Sequence, residues 1–142
     1  MRAKLVLLAT TIVGCAGAPV DPWGPLAVTT TNLGMEARNE GILVLTDRCA
    51  FLERGDEREL LGWPSKQTSW SPETSEITFT RHTEDVLTLR DGQRVVLGGG
   101  GSSLAEDGLT GEQWADRMEW VAAPDPSCLV DVRWLVSDVL PE

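Results

Sequence analysis

Gly41-Ile-Leu-Val-Leu-Thr-Asp-Arg-Cys-Ala-Phe-Leu52 decides the fold class. It holds two short apolar runs, Ile42–Leu45 and Cys49–Leu52, and the second ends in the turn-like Glu53-Arg-Gly-Asp56. Short apolar runs bounded by turn residues read as β-strands. Downstream, Leu60-Leu61 leads into Gly62-Trp63-Pro64, where proline stops ladder pairing and sets a strand end. Ile77-Thr-Phe-Thr80 alternates, with Ile77 and Phe79 on one face, and Leu87 and Leu89 do the same. Asp91-Gly92 then gives a strong hairpin signal, with Val95–Leu97 as the return strand.

One helix interrupts this pattern. Thr110 and Gln113 form a capping box, and Trp114, Met118 and Val121 recur at helical spacing, which predicts a helix over 110–121 ending before Pro124. The last element, Leu129–Val139, reads as a long strand with Val130, Val132, Trp134 and Val136 facing one way. Six or so strands, one short helix and no βαβ rhythm predict a small OB-like β-barrel over residues 38–142, with a small β-sandwich as the alternative.

The N-terminus carries an address. Arg2 and Lys4 form a basic n-region, and Leu5–Val13 an apolar h-region. As a helix this segment spans about 14 Å, half a bilayer core, which suits a secretory signal and not a membrane span. Ile12-Val13-Gly14-Cys15 resembles the bacterial lipobox, in which the cysteine sulfur takes a diacylglyceryl group and the leader is cut just before it. The rival cleavage after Ala16-Gly17-Ala18 would leave Pro19 obstructing the peptidase. Residues 1–14 are therefore expected to be a lipoprotein signal peptide and Cys15 the lipidation site, anchoring the chain by acyl chains such as palmitate. Residues 15–37, rich in Pro and Gly, read as a flexible tether. The expected location is the extracytoplasmic face of a cell membrane.

With Cys15 set aside, Cys49 and Cys128 remain. An even pair in an oxidising compartment reads as a disulfide, with two buried free thiols as the other reading. The formal charge of −10 repels phosphates and anionic headgroups, which argues against nucleic acid as a partner.

Gly41-x-Leu43, Cys49-x-x-Leu52, Leu60-Leu-Gly-Trp-Pro64, Val95-Val-Leu-Gly-Gly-Gly100 and a late Cys128 near Trp134 follow one another in order. This series resembles an uncharacterised bacterial secreted domain that recurs in small lipoproteins. The resemblance implies a β-barrel with the two cysteines paired, and carries no activity with it.

Candidates for chemistry are few. Gly98–Gly101 followed by Ser102-Ser103 lacks the Gly-Lys-Ser/Thr ending of a phosphate loop and reads as a strand running into a permissive loop. His82, the only histidine, reads as the solvent face of a strand. Asp56-Glu57 and Glu106-Asp107 lack the regular spacing of a calcium loop, and no metal or cofactor is expected. Trp114, Trp120 and Trp134 read as core. Trp63 and Trp70, each near a proline, are candidate ligand-binding residues, since an exposed indole can stack on a pyranose; the alternative is that both close the barrel ends. These features lead to the expectation of a non-enzymatic binding module whose partner is a cell-wall glycan or an envelope protein. A small glycan- or peptide-processing enzyme with paired carboxylates is the alternative.

Overall fold

The computed structural model describes residues 21–30 and 34–142. The expected signal peptide and the lipidation site Cys15 lie outside the described residues. The strands are β1 (Ala27–Thr29), β2 (Ala37–Leu45), β3 (Ala50–Arg54), β4 (Glu57–Pro64), β5 (Thr68–Ser71), β6 (Glu76–Thr80), β7 (Val86–Leu89), β8 (Arg94–Ser103), β9 (Trp120–Ala122) and β10 (Val132–Leu140). Between β8 and β9 lie two short helices, α1 (Leu104–Asp107) and α2 (Gly111–Arg117).

Strands β2, β3 and β4 form an antiparallel meander. β4 pairs in parallel with β10, β10 antiparallel with β8, and β8 antiparallel with β2, which closes a five-stranded barrel. The third and fifth barrel strands form the one parallel pair of the ring, giving the OB-like topology expected. β1 and β9 extend the sheet beyond β4. Residues 21–30, assigned to the tether by their Pro and Gly content, are therefore partly folded: Leu26, Ala27 and Val28 are buried and β1 pairs with Gly62–Pro64.

Period-2 alternation places Leu43, Leu52, Leu61, Trp63, Val95, Leu97, Trp134 and Val136 in one interior cluster. The meander β5–β6–β7 closes one end of the barrel, sending Ile77, Phe79 and Leu89 into the same cluster. Trp63 meets Phe79 edge to face, with ring centroids 6.1 Å apart. A register shift between Val136 and Asp138 resets the alternation of β10, so that Val139 returns to the core.

A second cluster of Cys49, Phe51, Leu60, Trp114 and Cys128 lies on the outer face of β3 and β4, whose interior-facing residues belong to the first cluster. The disulfide Cys49–Cys128 joins the start of β3 to the 3-10 turn before β10.

Three local expectations are corrected. Asp91-Gly92 is a turn, but β7 and β8 belong to different sheets; the Gly92 amide donates to the Leu43 carbonyl and the Leu43 amide to the Gln93 carbonyl, which links the turn to β2. The helix is shorter than 110–121. Its capping box forms as expected, but the helix ends at Arg117, and Trp120–Ala122 joins β1 as β9. Finally, Gly98–Gly101 lies inside β8 and not in a loop after it.

Candidate functional site: the open mouth of the barrel

The end of the barrel opposite the meander is open. Its cavity of 720 Å³ is lined by residues from all five barrel strands and by α1. In phase with the core positions of their strands stand Asn39 on β2, Arg54 on β3, Glu59 on β4, Gly101 on β8 and Trp134 on β10. The pleat that sends Leu43, Leu52, Leu61 and Leu97 into the core thus sends a polar set, with one indole, to the mouth.

Glu59 is buried, with 2% of its surface exposed. One carboxylate oxygen accepts from Asn39 Nδ2 at 2.5 Å and the other from Arg54 Nη2 at 2.7 Å. Arg54 also reaches Glu57 at 3.1 Å. Burial raises the Glu59 carboxyl above its ordinary 4.5, against the opposing pull of the Arg54 guanidinium and the Asn39 amide. Two side chains lining the mouth carry polar atoms that are fully enclosed and make no hydrogen bond: Asn39 Oδ1, an acceptor, and Trp134 Nε1, a donor.

The glycine run makes room for that indole. Trp134 is the cross-strand partner of Gly101, and a Cβ on Gly101 would fall 2.7 Å from the indole Cε3. A Cβ on Gly99 would stand 1.9 Å from the Leu135 carbonyl and 2.8 Å from Trp134 Nε1. Glycines here serve close approach of β10 and its tryptophan, not a phosphate.

Arg133 holds the segment beside the mouth. Its guanidinium, 1% exposed, pairs with Asp107, donates to the Leu109 carbonyl at 2.7 Å and to Ser102 Oγ at 3.0 Å, and lies 5.5 Å from the Trp114 ring centroid. The Arg133 hydrogen bond, followed by the Leu109 amide, holds the Asp107 carboxyl below its ordinary value. Glu106, from the same segment, lines the mouth and accepts from Ser103 Oγ at 3.2 Å.

No known protein family, curated protein or solved structure matches this chain. What stands is a small domain with a five-stranded mixed β-barrel and a disulfide.

The tryptophans singled out from sequence sit elsewhere. Trp63 is fully buried at the closed end, so its indole has no face for a ligand. Trp70 is half-buried against the same core, with Gly24 pressed on its ring; a Cβ there would lie 2.3 Å from Nε1. Neither lines the mouth, and the indole that does, Trp134, reads from sequence as core alone. His82 is exposed in the turn after β6, where its backbone N–H donates to Asp138 Oδ1 at 3.3 Å. Among the described residues no three His, Cys, Asp or Glu side chains gather as metal ligands, and no helix is long and apolar enough to cross a membrane.

Proposed function

We propose that this chain is an exported, lipid-anchored binding module of the cell envelope, with the barrel mouth as its small-ligand site. The observation that carries the site is the buried Glu59–Asn39 pair, joined by the half-exposed Arg54, in an open 720 Å³ cavity. Burying a carboxylate and an amide in a barrel end is costly where apolar side chains would pack as well, and convergent polar groups in a concave, partly apolar cavity are the mark of a ligand site. Support for export comes from the disulfide, which belongs to oxidising compartments, and support for the anchor from the lipobox-like residues ending at Cys15. Two experiments test the two halves. Bacteria fed radiolabelled palmitate label the full chain and leave Cys15→Ser unlabelled; equal labelling rejects the anchor. Immobilised chain retains low-mass cell-wall fragments, and Glu59→Ala loses them; retention unchanged by that substitution rejects the mouth.

A second reading, a small envelope hydrolase, is favoured by one observation: a carboxyl with raised proton affinity shares the mouth with Glu57, Glu106 and Asp131. Turnover of wall fragments that disappears in Glu59→Gln would select it.

A further inference from the structure

We propose that the closed end of the barrel faces the membrane and that the mouth opens away from it. The mouth then takes its ligand from the space beyond, and a headgroup of the anchoring bilayer is out of its reach. This rests on Cys15 being the lipid anchor. Residues 21–26 lie at the closed end. Gly24 presses on the ring of Trp70, in β5 of the meander, and Trp23 packs against the same core. The Trp23 amide donates to Asp21 Oδ1 at 2.9 Å and the Leu26 amide to the Trp23 carbonyl at 3.1 Å, which fixes Asp21 to this turn. Asp21 also lines a cavity of 280 Å³ with Asp47 and Arg48, from the β2–β3 turn. That turn joins β2 and β3 at the end opposite Ala37 and Arg54, which line the mouth.

Asp21 stands six residues after Cys15. Six residues span about 20 Å at full stretch, and about 13 Å on average as a flexible chain. Between Leu45, beside the β2–β3 turn, and Ala37 at the rim, β2 rises about 26 Å, or about 20 Å along the barrel axis at the usual strand tilt. A mouth turned down onto the bilayer would therefore need a taut tether, with the rim pressed into the headgroups. A tether of average span leaves the mouth pointing outward. The closed end adds no adhesion of its own. Asp21, Asp47 and Asp125 outnumber Arg48 around the small cavity, and carboxylates are repelled by anionic headgroups. Attachment at Cys15, and not an attractive face, sets the orientation.

The test uses the lipidated full chain, purified from bacterial membranes and reconstituted in phosphatidylglycerol-containing vesicles whose headgroups carry a nitroxide quencher. A fluorophore is attached through a ketone-bearing residue placed at Asp47 or at Ala105, exposed positions at the closed end and on α1 beside the mouth. The expected result is several-fold stronger quenching at Asp47 than at Ala105. Equal quenching, or more at Ala105, would overturn the orientation and leave the anchor standing. Inserting about thirty Gly and Ser residues between Val20 and Asp21 lengthens the tether to about 33 Å on average, past the height of the barrel. The two positions are then expected to be quenched alike, and a difference that persists would overturn the proposal. Full chain that fails to float with the vesicles, or Cys15→Ser that floats equally well, would reject the anchor and the orientation with it.

Discussion

The indole of Trp134 lies against the bare backbone of Gly101, its cross-strand partner, with no room between them for a methyl group. The barrel mouth owes its shape to this pair: the largest side chain of β10 rests where β8 has none. Gly101→Ala must displace the indole or spread the two strands, an overpacking that costs about 1–3 kcal/mol. Urea denaturation measures it. Gly99→Ala is worse, because the obstacle there is the Leu135 carbonyl and the backbone φ of +153° disfavours any side chain. Equal stability of either variant and the parent would contradict this packing.

Glu59 gives the fold a pH dependence of definite sign. Its carboxyl binds a proton more tightly folded than unfolded, where its pKa is 4.5. The folded state therefore holds the greater share of protons in the window from 4.5 up to the raised value, and stability falls as pH rises through that window. Its contribution is fully present below 4.5 and lost above the folded value. Glu59→Gln removes this slope, and denaturation curves collected across the window, parent against variant, measure the difference. A parent slope that survives the substitution would place its origin elsewhere.

Cys49 and Cys128 are 79 residues apart in sequence and both are buried in the outer cluster. Removing the bond in a Cys49→Ser/Cys128→Ser double variant frees a long loop in the unfolded chain, worth about 4.5 kcal/mol in the chain-entropy account. Thermal denaturation with and without reductant is expected to bring the parent down toward the double variant. Insensitivity of the parent to full reduction, confirmed by thiol counting, would contradict that share of the stability.

Arg133 and Asp107 should respond unequally to substitution. Arg133→Met breaks hydrogen bonds to the Leu109 carbonyl and Ser102 and loosens α1 from the barrel wall, a loss of about 1–3 kcal/mol. Asp107→Asn is the milder change, because its side chain reaches solvent and Arg133 keeps its other acceptors. Hydrogen exchange at residues 104–109 reports the difference, with faster exchange expected in Arg133→Met than in Asp107→Asn.

Much of the fold was legible because its strands obey simple alternation: Ile77 and Phe79 and Leu87 and Leu89 in the meander, and Trp134 and Val136 in the barrel, each share a face as their spacing implies. The capping box of Thr110 and Gln113 is equally local and equally readable. Pairing partners were harder. Asp91-Gly92 specifies a turn but not which strands it joins, and here it passes the chain from the meander to the barrel. β1 and β9 are too short for periodicity: β1 forms between β4 and β9, and β9 has β1 as its partner. The mouth was missed for a related reason. Asn39 stands two residues ahead of Gly41 and four ahead of Leu43, and Glu59 two and four ahead of Leu61 and Trp63, so both are polar residues in phase with an apolar face. That was the available signal, but their meeting across β2 and β4 depends on barrel closure. Trp63, chosen for its neighbouring proline, is buried because the meander covers the end of the barrel where it lies.

The mouth as a ligand site is tested most directly by mapping where the protein responds. Amide chemical shifts of the full chain are compared before and after addition of low-mass cell-envelope extract, for the parent and for Ala37→Trp, which places an indole at the exposed rim. Shifts gathered at Asn39, Arg54, Glu59, Gly101 and Trp134, and lost in Ala37→Trp while its denaturation midpoint holds, are the predicted result. Shifts that gather on another face, or that persist with the mouth filled, would contradict it.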